Sequence, residues 1–110
     1  MNNFETFFMS DATNFLEFLD PKIVKKIIYI IDLAQHTNDA TIFKKLRNNI
    51  WEFRIQNSGI QIRLLAFWDK TDQKSTLVVI THGIIKKTQK TPKNEIEKAI
   101  KLRELYFNNQ

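Results

Sequence analysis

The chain changes its hydrophobic rhythm near its midpoint. In the first half the apolar residues recur at helical spacing. Within "PKIVKKIIYIIDLA", Ile23, Ile27, Ile30, Ile31 and Ala34 fall on one stripe. Val24, Ile28 and Leu33 widen it, which predicts a largely buried helix. Asp20 is suited to cap that helix, with Pro21 at the first position, where a missing N–H costs nothing. Upstream, "SDATNFLEFL" predicts a short helix opened by Ser10 or Asp11 and holding Phe15, Leu16, Phe18 and Leu19. Asn2 to Ser10, rich in aromatics with a β-branched Thr, reads as a first strand. "TNDATIFKKLRNN" is polar, with Ile42, Phe43 and Leu46 as anchors, and reads as a turn or short helix.

In the second half the period becomes two. Along Ile50 to Gln56, Trp51, Phe53 and Ile55 alternate with Glu52, Arg54 and Gln56. "NSG" signals a hairpin turn, and Ile60 to Trp68 forms the returning strand, with Gln61 and Arg63 against Ile60, Ile62 and Leu64. Ser75 to Ile84 is apolar on both faces, as a central strand is. Thr91 and Pro92 then predict the start of a last helix, with Ile96, Ala99, Ile100, Leu102 and Phe107 on its apolar side. The order is strand, two helices, three antiparallel strands and a helix. This predicts an α+β fold in which the two N-terminal helices pack on one face of a small antiparallel sheet. The other face is expected to be open and to carry Arg54 and Arg63.

With 110 residues, two Gly and two Pro, residues 1–110 form a single domain without linker material. There is no cysteine, hence no disulfide framework and no thiolate metal site, a composition that fits a reducing cytoplasm. The first residues lack the basic and apolar regions of a signal peptide. The longest apolar run, Ile27 to Ile31, is far short of a membrane span, so no membrane partner is expected.

Charge adds a direction. Residues 1–50 hold six Lys/Arg and six Asp/Glu, while residues 51–110 hold eleven and six, so the whole net charge of +5 lies in the second half. Residues 73–94 contain no acid at all. Such asymmetry points to a polyanionic partner, whether nucleic acid, an anionic membrane surface or an acidic protein segment, or to a solubility charge. Counting outward from Ser58 pairs residues whose numbers sum to 116 or 117, which makes Arg54 and Arg63 near cross-strand neighbours, about 5 Å apart. Two guanidiniums that close either grip a phosphate between them or are neutralised by Glu52, which shares their face and either orients an arginine or acts as a base. Lys86, Lys87 and Lys90 follow the last strand, as phosphate ligands or as a solvated loop; a lysine among cations is also a candidate acid or base. His82 is a candidate proton shuttle or a backbone-held strand histidine. No metal-ligand spacing, glycine-rich phosphate loop or nucleophile elbow is present, so no cofactor is expected.

Beyond this point a resemblance adds to the residues. "LRNNIWEFRI", "IQIRLLAFW" and "LVVITHGIIKKTQKTPKNEIEKAIKLRELY" resemble the phage-derived, HigB-like toxins of the RelE/ParE superfamily. The counterparts are Trp51-Glu52-Phe53-Arg54, Arg63, the run from His82 through Lys86, Lys87 and Lys90 to Pro92, and Glu95, Ile96 and Ala99. The resemblance implies the toxin of a type II toxin–antitoxin pair with a RelE-like fold. It implies metal-independent cleavage of mRNA, commonly on the ribosome, by attack of the 2′-hydroxyl. The products are a 2′,3′-cyclic phosphate and a 5′-hydroxyl. It implies a HigA-like helix-turn-helix antitoxin as partner, in a toxin–antitoxin hetero-oligomer. In those roles Arg54, Arg63, Lys86, Lys87 and His82 are the catalytic candidates. Lys90 and Lys93 are phosphate ligands, and Glu52 is the orienting residue. A ParE-like inhibitor of DNA gyrase and a non-catalytic nucleic-acid-binding module are the competing expectations.

Overall fold

A computed structural model of the chain describes residues 3–71, 76–86 and 90–109. Its elements run β1 (Glu5–Phe8), α1 (Ser10–Glu17), α2 (Pro21–His36), β2 (Phe43–Lys45), β3 (Trp51–Asn57), β4 (Ile60–Asp69), β5 (Leu77–Lys86) and α3 (Lys93–Asn108). The five strands form one sheet in the order β1-β5-β4-β3-β2. Strands β2 to β5 are antiparallel neighbours, the expected meander with one strand added, whereas β1 lies parallel along β5, Phe7 beside Val79. The sheet is thus mixed at one edge rather than antiparallel throughout.

The β3–β4 hairpin is closed by Ser58 and Gly59, both at positive φ (50° and 82°), the signature of a two-residue turn whose twist matches the strands. That turn sets Asn57 opposite Ile60 and carries the count down to Arg54 opposite Arg63. At the other end of β3, Asn48 and Asn49 take left-handed φ values of 56° and 62° and return the chain from β2.

Strand β2 replaces the turn or short helix expected around Phe43. Period-two contacts decide it: Phe43 stacks on Phe53 with ring centroids 4.3 Å apart, and three residues pair with Trp51 to Phe53. Two cores result. On one face α1 and α2 cover Phe53, Ile55, Ile62, Leu64, Val78 and Ile80. On the other, α3 covers Leu65, Phe67 and Val79 through Ile96 and Ala99. The second face is therefore only partly open. Helix α2 is less buried than its apolar stripe suggests. Ile27, Ile31 and Ala34 are buried, but Ile28 is 48% and Tyr29 62% exposed, because only one side of the helix meets the sheet.

Two caps differ from expectation. The residue before α1 is Met9, with no side-chain cap from Ser10 or Asp11. The residue before α3 is Pro92, also without a side-chain cap, and the Thr91 hydroxyl donates instead to Glu52. Asp20 does cap α2, accepting from Lys22 N–H at 2.8 Å.

One irregularity shapes the site. Leu65 pairs with His82 but Ala66 pairs with Ile80, so Thr81 is an extra residue in β5. Its hydroxyl oxygen lies 3.1 Å from the Leu65 carbonyl, within donating distance. Because side chains alternate with period two, one inserted residue reverses every face beyond it. Before the bulge Val78 and Ile80 face α1 and α2; after it His82, Ile84 and Lys86 face the α3 side. Gly83 then faces α1, where a Cβ atom would lie 2.3 Å from the Phe15 ring. Strand β5 also continues to Lys86, two residues beyond the expected end at Ile84.

Candidate anion-binding site

Beside α3, the face left open by the second core is charged. Arg54 and Arg63 are direct cross-strand partners. Glu52, one step along β3 on the same face, reaches both: its carboxylate oxygens lie 3.7 Å from Arg54 Nε and 3.7 Å from Arg63 Nε. It also accepts the Thr91 hydroxyl, which ties the start of α3 to the cluster. Glu52 is buried, 3% exposed, so the two strong cations share one desolvated carboxylate. This orienting contact joins the two alternatives open at the sequence level. Glu52 does pair with the arginines, but one carboxylate against two guanidiniums leaves the group positive.

Arg63 is 1% exposed. Its guanidinium donates to the Ile62 carbonyl and to Gln61 Oε1, each at 3.1 Å, while Nε has no hydrogen-bond partner among the described residues. Burial pulls its pKa down, opposed by Glu52 and reinforced by Arg54. Lys86 ends β5 opposite Gln61, next to Ile84 opposite Arg63. Burial is the first cause that lowers its pKa below the ordinary lysine value of 10.5; Arg63 and Arg54 add to it and Glu52 opposes it. Lys86 is thus an ammonium that gives up its proton more readily than a surface lysine.

Two clefts open on this cluster. A larger one, about 420 Å³, runs between β2, β3 and the start of α3, lined by Lys44, Arg47, Arg54, Lys90 and Lys93 around Glu52 and Thr91. A smaller one, about 230 Å³, is lined by Arg54, Arg63, Gln56, Gln61 and Thr41. Arg54 belongs to both. Among the described residues five cations and one carboxylate line the larger cleft, a composition suited to phosphate oxygens held by forked and point charges.

Of the eight residues singled out in the sequence, the structure gathers Glu52, Arg54, Arg63, Lys90 and Lys93 around these clefts, and Lys86 lies on the same face near the arginines without lining either cleft. Lys87 lies outside the described residues. His82 stands apart. It is 2% exposed, with Nδ1 2.9 Å from the Thr81 hydroxyl and Nε2 3.0 Å from Glu95 of α3. Its charged neighbours are Glu95, Lys98 and Asp11, not the arginines. Desolvation, the largest influence, lowers its pKa, against the bond to Glu95. This geometry describes a histidine that fastens α3 to β5. Tyr106 likewise is committed elsewhere, donating to Asp69 Oδ2 at 2.7 Å.

Lys44 and Arg47 were not foreseen. Their signal was present in "FKKLRNN", but only the pairing of β2 with β3 brings that run beside Glu52.

Fold and site together define a small α+β domain of RelE-like fold with a cationic cleft. Residues 14–104 match the family described as "Phage derived protein Gp49-like (DUF891)", and the chain belongs to that family. A chain in the crystal structure of the toxin–antitoxin complex RelBE2 from Mycobacterium tuberculosis has the same fold. The TM-score is 0.57 at 20% identity, covering 76% of this chain and 99% of that one. No curated protein matches the chain.

Proposed function

We propose that this protein is the toxin of a type II toxin–antitoxin pair and that it cuts mRNA at the cleft around Arg54. The observation that carries the reading is the opposed Arg54–Arg63 pair, with Arg63 buried, both guanidiniums against the Glu52 carboxylate, and Lys86 nearby on the same face. The fold shared with a chain of a toxin–antitoxin complex supports it. Among the described residues no group of His, Cys, Asp or Glu is placed to hold a metal ion, so we assign charge stabilisation to the guanidiniums.

In the proposed reaction the scissile phosphate sits against Arg54 and Arg63. The 2′-oxygen loses its proton to the neutral amine of Lys86 and attacks phosphorus. The bond from phosphorus to the 5′-oxygen breaks, and that oxygen takes a proton from an ammonium on the opposite side, which we assign to Lys90 or Lys93. The products are a 2′,3′-cyclic phosphate and a 5′-hydroxyl. Donors aimed at charge that develops in the transition state usually supply the largest share of such catalysis. We assign Glu52 to holding the arginines rather than to proton transfer, since Thr91 and two guanidiniums already occupy it. The partner we assign is a HigA-like antitoxin whose binding covers the cleft, and ribosome-bound mRNA is the proposed substrate.

The test is growth and primer extension on cellular mRNA after induction of the chain alone. Arrest with discrete 5′-hydroxyl ends is expected, and Arg54→Ala is expected to lower cleavage by about a hundredfold or more. Inhibited DNA supercoiling with intact mRNA would instead identify a gyrase inhibitor. RNA binding without ends or arrest would identify a binding module.

A further inference from the structure

A second groove lies at the far end of β3 from the hairpin turn. It measures about 590 Å³, within the range of small-ligand sites. Trp51, Trp68 and Phe107 line it together with Lys45, Lys70 and Arg103, and among the described residues no acidic side chain lines it. Trp51 and Trp68 meet edge to face at 5.7 Å, and Lys70 Nζ stands 5.3 Å over the Trp68 ring. Phe107 is 36% exposed. Among the described residues neither Lys45 nor Lys70 has a carboxylate within ion-pair distance. Arg103 spends one N–H on the Asn48 carbonyl at 2.9 Å and has four others.

We infer that this groove is a binding site for unpaired nucleotides of single-stranded RNA, separate from the cleft around Arg54. Aromatic faces that take bases of any sequence, interleaved with cations for the backbone, are what such binding requires. Its position gives it a use, and this part rests on the proposed nuclease reading. The β2–β3 loop divides the two sites: Arg47 lines the cleft and Asn49 lines the groove. Trp51 lies three residues from Arg54 along β3, about 10 Å at ~3.3 Å per residue. That is roughly three stacked nucleotides at ~3.4 Å each. Trp51 and Arg54 point to opposite faces of β3, but Asn49, Phe67, Arg103 and Phe107 carry the groove round the strand end to the α3 side, so an RNA whose scissile phosphate rests on Arg54 reaches it past the β2–β3 loop, and the groove anchors the strand.

Trp51 and Trp68 are the only two tryptophans of the chain and both line this groove; they also line a neighbouring pocket beside Phe4 and Phe43, so it is the dependence of the quenching on Lys70, which only the groove has, that assigns the signal. The probe is a 2′-O-methyl oligouridine of about ten nucleotides, which binds but lacks the attacking hydroxyl. Titration of the full chain is expected to give saturable quenching. Lys45→Ala/Lys70→Ala is expected to keep the circular dichroism spectrum, to weaken binding about tenfold, and to lower the log–log salt slope by about 1.4, at ~0.7 per lost phosphate contact. Unchanged fluorescence, or quenching indifferent to the two substitutions, overturns the inference. So does polyglutamate quenching as strongly as the oligonucleotide, which would make the groove a site for an acidic protein segment. A chain that cleaves no mRNA yet shows lysine-dependent quenching leaves the groove standing and removes the nuclease reading.

Discussion

Replacing Glu52 by Gln changes one buried charge and almost no volume. The parent carboxylate lies 3.7 Å from each of two guanidinium nitrogens. At an effective dielectric of ~20 each contact is an attraction of about 4.5 kcal/mol, much of it offset by the cost of removing the ions from water. Breaking one partner of a buried pair typically costs about 3–5 kcal/mol, since the remaining charge stays buried. Arg54 retains 25% side-chain exposure and is partly screened, which puts the expected loss near the lower figure, ~3 kcal/mol. With 110 residues at ~2.1 cal/mol/K each, the unfolding entropy is about 0.23 kcal/mol/K, so the melting midpoint is expected to fall by about 13 °C. The Gln amide oxygen still accepts from Thr91, so the loss isolates charge from hydrogen bonding. Inorganic phosphate should then stabilise the variant more than the parent, because it replaces the missing anion; at a hundredfold excess over Kd it restores about 2.7 kcal/mol. Thermal unfolding with and without phosphate measures both effects. A midpoint within a few degrees of the parent, or equal phosphate stabilisation of the two proteins, refutes the view that Glu52 neutralises a cluster built to hold an anion.

Three further outcomes follow from the same physics. Lys86 has a lowered pKa when folded, so the unfolded chain binds more protons between that value and 10.5, and its burden on stability is full below that window and vanishes above it. Lys86→Met is therefore expected to exceed the parent in stability at neutral pH, with the advantage shrinking as urea midpoints are followed toward pH 10.5; a constant difference would contradict the assignment. His82, facing Glu95, Lys98 and Asp11, has its pKa lowered from 6.5, so its contribution is present above that value and is lost as pH falls through 6.5 toward the folded pKa. His82→Gln should flatten this acid limb while leaving the proposed RNA cleavage at neutral pH intact, and a collapse of that cleavage would return the histidine to the proposed reaction. Gly83→Ala forces a Cβ into the Phe15 ring and is expected to cost about 1–3 kcal/mol, with Phe15→Leu in the same chain recovering part of it by chemical denaturation; an unchanged Gly83→Ala midpoint would mean that α1 moves freely.

How far the sequence was legible depended on how local the deciding forces were. The hairpin register was legible to within one residue from "NSG", which brought Arg54 near Arg63, and the two-residue turn at Ser58 and Gly59 fixes them as direct partners. The stripe of α2 was legible as helix but not in depth of burial, since Ile28, which widens the stripe beside the buried Ile27, is 48% exposed. Strand β2 was misread because three residues carry no period of their own; the stacking of Phe43 on Phe53 defines it. Thr91 has the composition of a helix cap, yet its hydroxyl takes the stronger, anionic acceptor 39 residues away in sequence.

The sequence by itself thus determined the class of fold, the two opposed arginines, the orienting glutamate and the positive second half. These follow from periodicity, turn chemistry and charge, each read within a few neighbouring residues. Tertiary structure alone decided which lysine joins them. In an unbroken β5, Lys86 would share the face of Val78 and Ile80 beneath the helices, and the inserted Thr81 turns it to the arginine side. It alone also set Lys44 and Arg47 beside the cleft and drew His82 away beneath α3. A bulge and an edge-strand pairing are fixed by contacts between segments far apart in the chain, and local pattern carries no term for them.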